Sequence, residues 1–181
     1  MPEKTFQQYD TALDSCRKVF TAKMLDYGTA WRILRTTSIT DQIYIKASRI
    51  RSIEEKGESK VDEGIRSEFV GMINYSVMAL IQLELGAAED ARMDNDSVGA
   101  KYDSYVIMAR NLMADKNHDY GEAWRQMRIS SLTDIILMKL LRIKQIEDNN
   151  GLTLMSEGLD ANYLDIINYS AFALIMLDQK N

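Results

Sequence analysis

The chain has 181 residues, 46% of them hydrophobic and 27% charged, which suits one ordinary domain or two small subdomains sharing a core. A net charge of −5 argues against a duplex or single-stranded nucleic acid partner, since those interfaces are usually basic. Cys16 and His118 are the only residues of their types, so an internal disulfide and a Cys/His zinc cluster are both excluded.

The single proline, 11 methionines and abundant Ala, Leu and Glu predict an all-α protein. The first ten residues lack the apolar core of a signal peptide. The longest apolar runs, such as 171–177, are too short to span a bilayer. A cytoplasmic protein with no membrane partner is therefore expected.

The first helix is predicted over residues 3–25, with Leu13, Cys16, Phe20 and Met24 on one face. That placement makes Cys16 a buried structural thiol rather than a nucleophile. Asp26-Tyr27-Gly28 should stop the helix, because Gly takes the left-handed C-cap conformation readily. A short turn over 30–34 follows. A second helix should start near Ser38, where SITD reads as a variant capping box, and end at Gly57. Ile39, Ile43, Ala47, Ile50 and Ile53 form its apolar stripe. The third helix, residues 60–85, is apolar nearly all round in its last turns, as a buried helix would be.

The chain then repeats itself. KMLDYGTAWR at 23–32 returns as KNHDYGEAWR at 116–125. Residues 17–56 align with 110–149, and 63–83 with 157–177, with about 28 of 61 positions identical. This divides the chain into a first repeat (1–86), a polar linker (87–99) and a second repeat (100–181). Helices are predicted over 98–117, from SLTD at Ser131 to Gly151, and over 156–178. The expected architecture is a helical bundle of two tandem three-helix repeats packed as a pseudo-symmetric pair, with both third helices at the centre.

Polar residues repeated inside apolar helices are the candidates for chemistry. At 100° per residue, Asp165 lies about 80° and Asn168 about 20° from Glu157, so the three share a stripe. Glu157 and Asp165, with Asp160 nearby, could hold Mg²⁺ directly or through water. A structural reading stands beside it: Glu157 favours the helix start and Asn168 bonds across the repeats. In the first repeat Glu63 and Asn74 match, but Gly71 replaces Asp165 and Arg66 replaces Asp160. One site per chain is thus expected, in the second repeat.

Lys139 and Arg142 lie side by side on one helix, as Lys46 and Arg49 do in the other copy, and suit a phosphate or a salt bridge to Glu157 or Glu63. Asp41 and Asp134 are read as helix caps. Lys116, Asp119, Tyr120 and Trp124, matched by Lys23, Asp26, Tyr27 and Trp31, could cradle a base, although core anchoring is the ordinary role of Trp.

The order K-x-x-D-Y-G-x-A-W, S-x-T-D, K-x-x-R-I and E…I-N-Y-S resembles the nucleotide modification associated domain, first type, in two tandem copies. A more distant likeness is to the all-α nucleoside triphosphate pyrophosphohydrolases of MazG and dimeric dUTPase type. Glu157-Gly-Leu-Asp160 takes the place of their E-x-x-D, while the preceding helix carries Lys139 and Arg142 where they carry E-x-x-E. The resemblance implies a protein of nucleotide modification or metabolism. As a Mg²⁺-dependent phosphohydrolase, Glu157 and Asp165 would hold the metal and Asn168 would orient ligand or water. Lys139 and Arg142 would neutralise phosphates, and Trp124 or Tyr120 would flank the base. The alternatives are a non-catalytic module binding a nucleotide or other phosphorylated small molecule, and a scaffold whose charge pairs are structural. A homodimer of the whole chain stays open.

Overall fold

A computed structural model describes residues 2–57, 62–153 and 158–180, and among these residues there is no strand. Six helices follow in order: α1 (Pro2–Tyr27), α2 (Thr36–Lys56), α3 (Asp62–Leu85), α4 (Asn95–Tyr120), α5 (Ile129–Asp148) and α6 (Leu159–Gln179). Short 3₁₀ turns, Ala30–Ile33 and Ala123–Gln126, precede α2 and α5. None of the helices is long and apolar enough to cross a membrane.

Two equivalent halves emerge, α1–α3 and α4–α6. Helix α3 packs on α6 at the centre, α2 on α3, α5 on α6, and α2 on α5. Helices α1 and α4 cover the other side and each touches both α3 and α6. This is the pseudo-symmetric bundle expected from the repeat. Its cause is visible in α6, where every side chain from Asn162 to Asn168 is buried. A helix without a polar face must be surrounded. Each fully buried Leu, Ile or Phe contributes about 1.5–3 kcal/mol of transfer free energy toward that placement.

Buried polar groups lock the halves together. Asn168 in α6 accepts from the Tyr9 hydroxyl at 2.7 Å and donates to the Ala109 carbonyl at 3.0 Å. Asn74 in α3 accepts from the Tyr102 hydroxyl at 2.7 Å and donates to the Cys16 carbonyl at 3.1 Å. Each Asn therefore ties α1 to α4 by way of a central helix. The pairing satisfies groups whose burial would otherwise be costly.

The helix starts differ from expectation. Helices α2 and α5 begin at Thr36 and Ile129, with Arg35 and Arg128 as N-caps and no side-chain capping bond. The Ser38 amide already bonds the Arg35 carbonyl, so SITD lies inside the first turns. Asp41 and Asp134 are not caps. They reach across the α2–α5 interface to Lys144 at 3.3 Å and Arg51 at 3.7 Å. Two extended residues, Leu34-Arg35 and Met127-Arg128, separate each 3₁₀ turn from the helix that follows.

Gly28 and Gly121 do end α1 and α4, with φ of +66° and +64°. The Gly28 amide bonds the Met24 carbonyl at 2.8 Å. Of the segment read as linker, residues 95–99 are helical, because Asp94 caps α4 by accepting from the Ser97 amide at 3.0 Å. The remaining linker is pinned to the first 3₁₀ turn. The Thr29 hydroxyl donates to the Ala91 carbonyl at 2.6 Å and accepts from the Met93 amide at 3.0 Å.

Candidate functional site

In the second repeat, Asp165 projects from the middle of α6 and is 3% exposed. A carboxylate so placed must be paired to remain ionised. Lys116, at the end of α4, stands 2.8 Å from Oδ1, and Lys139, from α5, stands 2.9 Å from Oδ2. Three of the expected site residues, Asp165, Lys116 and Lys139, thus meet. What they form is an internal ion-pair cluster.

The rest of that expected site is spent or dispersed. The amide of Asn168 is committed to Tyr9 and Ala109, so it holds the repeats together and is not positioned to orient a ligand or water. Trp124 is buried and lies flat against Phe172, with ring centroids 4.2 Å apart and planes 5° from parallel. The Arg125 guanidinium covers the ring at 4.3 Å. Tyr120 and Asp119 are exposed, and Asp119 accepts from His118 Nδ1 at 3.2 Å. Asp160 is exposed in the first turn of α6. Arg142 is half-buried and makes no ion pair among the described residues. Glu157 lies outside the described residues. Among the described residues, no three His, Cys, Asp or Glu side chains come together as a metal site.

A larger open space lies in the other repeat. A cavity of about 930 Å³ lies between the end of α1, the first 3₁₀ turn, α2 and α3. Trp31, Tyr27 and Tyr75 supply aromatic wall, Met78 and Leu34 apolar wall, and Lys23 and Lys46 the cationic edge. Such a volume and mixture are typical of small-molecule pockets. Lys23 is exposed and makes no ion pair among the described residues. Lys46 is held loosely, with Nζ 3.5 Å from Glu68 Oε2 and 5.6 Å from the Tyr75 ring centre. Arg49 holds the same Glu68 firmly, at 2.6 Å. The stem of Lys46 lies over Gly71, where an added Cβ would fall 2.9 Å from Lys46 Cε.

The two repeats are opened and closed by a few substitutions. Gly71 and Met78 of the first repeat correspond to Asp165 and Phe172 of the second. The larger pair fills the volume that the smaller pair leaves empty, as close packing requires. Reading carboxylates as the mark of the working copy therefore pointed to the more closed half. The signal that identifies the open half is the loss of side-chain volume at 71 and 78. Volume differences alone do not say whether neighbours collapse into the gap.

Comparison with known proteins adds one finding. The model of the family described as Nucleotide modification associated domain 1 matches residues 23–83 and again 116–177. The chain belongs to this family. Each match opens on the Lys of the K-x-x-D-Y-G motif and closes within the central helix, so each copy of the domain contains one 3₁₀ turn, one Lys/Arg helix and most of one core helix. One copy of the domain thus falls in each pseudo-symmetric half, and α1 and α4 enter it only by their last turn. No curated protein and no solved structure matches the chain. Nothing in these comparisons extends the likeness to the pyrophosphohydrolases.

Proposed function

We propose that this member of the nucleotide modification associated family is a nucleotide-binding module, with its ligand in the first-repeat cavity. The observation that carries the reading is the cavity itself, which sets Trp31 and Tyr75 beside Lys23 and Lys46. A planar base needs an apolar and aromatic wall, and a phosphate needs cations with charge to spare. Both are present within one space.

Hydrolysis by a carboxylate-bound Mg²⁺ is the weaker reading. Mg²⁺ bound by protein takes one or two carboxylates and leaves its other positions to water and phosphate. Asp165 already faces two ammonium groups, within 2.8–2.9 Å of its oxygens, and a dication there would have to displace them. The donor set around Asp165 does not fit the ion.

A thermal-shift panel of nucleotides, run with and without Mg²⁺, tests the proposal. A ligand at 100 times its Kd stabilises the folded state by about 2.7 kcal/mol. For a domain of this size that raises Tm by roughly 5–10 °C. The expected result is a shift with at least one nucleotide that Lys23→Ala or Lys46→Ala diminishes. No shift with any nucleotide would leave the scaffold reading in possession.

A further inference from the structure

We infer that the second repeat contains, as parts of its own chain, stand-ins for the two halves of the ligand that the first repeat binds. The inference rests on the nucleotide-binding reading above and specifies how that ligand sits. The carboxylate of Asp165 takes the place of a phosphate, and the ring of Phe172 takes the place of a base.

Lys116 and Lys139 converge on Asp165 in the second repeat. Their counterparts Lys23 and Lys46 border the cavity at Gly71, the counterpart of Asp165. An anion resting over Gly71 would meet the same two ammonium groups that Asp165 meets. Gly is suited to this place because it leaves the floor open, and the side chain nearest to it is the flexible end of Lys46. That end is held by a 3.5 Å contact to Glu68, while Arg49 retains Glu68 at 2.6 Å. Lys46 can therefore turn to an incoming anion and leave Glu68 with a partner.

The same relation holds for the ring. Phe172 stacks on Trp124 with planes 5° from parallel. Its counterpart in the first repeat is Met78, which lines the cavity together with Trp31. The indole of Trp31 therefore offers a planar ligand ring a place equivalent to the one that Phe172 fills beside Trp124. A third difference agrees in charge. Glu68 of the first repeat corresponds to the neutral Asn162, so the second repeat gains a carboxylate at 165 where it loses one at 162.

Charge then narrows the ligand. Of the cations lining the cavity, Arg66 is paired with Asp178, Lys23 makes no ion pair among the described residues, and Lys46 shares Glu68 with Arg49, which leaves two ammonium groups for an anion. A phosphate monoester carries about −1.5 to −2 at neutral pH. The geometry points to a nucleoside monophosphate, one per chain, with its phosphate between Lys23 and Lys46 over Gly71 and its base against Trp31.

Isothermal titration of the full chain with purine and pyrimidine nucleoside monophosphates, the parent nucleosides and inorganic phosphate tests this. The expected stoichiometry is one. Gly71→Asp installs the internal carboxylate and should weaken both monophosphate and inorganic phosphate by at least about tenfold. Met78→Phe should weaken the monophosphates by at least about tenfold more than it weakens inorganic phosphate. Both variants copy residues that the second repeat carries on the same scaffold, and circular dichroism and melting are the check that they fold. Lys23→Ala, at an exposed position, supplies a variant that does not disturb packing and should lower monophosphate affinity by about fivefold or more. If the parent chain binds a monophosphate but all three variants bind it as the parent does, the stand-in inference is wrong and nucleotide binding survives. If the parent binds none of the compounds, the inference and the nucleotide reading fall together.

Discussion

The ring of Phe172 lies on Trp124 at 4.2 Å, whereas Trp31, at the equivalent place, has Met78 as its counterpart neighbour and a cavity beside it. The second repeat should therefore depend on that stack for stability. Phe172→Ala is expected to cost about 3–5 kcal/mol, as aromatic truncations in cores do. Met78→Ala, at a half-buried wall, should cost clearly less. Urea melts of both variants compare them, and equal losses would mean that the stack contributes nothing special.

The Asp165 cluster makes a second prediction. Removing one partner of a buried ion pair leaves the other charge uncompensated. Lys139, whose side chain is 13% exposed, would be left facing apolar surroundings with no carboxylate. Asp165→Ala should lose about 3–5 kcal/mol. Lys116→Ala should lose less, since that side chain is 43% exposed and water can replace part of the interaction. Denaturant unfolding of the two variants gives the comparison, and the reverse order would count against the cluster as described.

Asn168 and Tyr9 should be coupled through their 2.7 Å bond, and Asn74 and Tyr102 through theirs. Tyr9→Phe leaves a buried amide oxygen without its donor, at a cost of about 1–3 kcal/mol. A double-mutant cycle with Asn168→Ala should return a coupling of about 0.5–3 kcal/mol. Additive losses would show that the two side chains do not hold the repeats jointly.

Cys16 sits in the core with its thiol pushed up to about 12, chiefly by burial. Burial also raises the phenols of Tyr9, Tyr102 and Tyr163. In each case the unfolded chain gives up its proton at lower pH than the folded one. Stability is then fully present below the ordinary values of 9.0 for the thiol and 10.0 for the phenols, and falls as pH rises beyond them. Chemical unfolding followed from pH 7 to 11 should show this decline. The native thiol should also react with a thiol reagent only on unfolding, so rapid labelling of the native protein at pH 8 would contradict its burial.

Chelation gives a further test. If the first-repeat cations hold the phosphate without a protein-bound metal, EDTA should leave nucleotide affinity within about threefold. Abolished binding in EDTA, restored by Mg²⁺, would revive a metal role for the acidic residues, Glu157 among them.

Much of the architecture could be read along the chain. The duplicated K-x-x-D-Y-G-x-A-W-R motif, the stripes of α2 and α5 and the all-round apolar ends of α3 and α6 specify two equal halves with a shared core. Burial patterns of that kind are one-dimensional information, since helical periodicity alone says which faces must leave water. Asp165 itself stood out in the sequence as an acid among apolar neighbours, but that Lys116 and Lys139 converge on it was not legible, because they come from two other helices. The N-caps of α2 and α5 were not legible, whereas the glycine stops after α1, α2 and α4 were. SITD has the composition of a capping box, and only the backbone bonds of Ser38 and Ile39 to the Arg35 carbonyl show that the helix begins two residues earlier.

What the sequence settled by itself was the duplication, the helical class and the family, all of which depend on local pattern and on comparing the chain with itself or its relatives. Which half stays open was settled by the tertiary structure. Gly71 and Asp165 differ by one small side chain, and whether that difference empties or fills a cavity depends on where Lys23, Lys46, Lys116 and Lys139 come to rest around it. Packing in three dimensions fixes those positions, because a charged side chain takes the nearest partner that its neighbours allow.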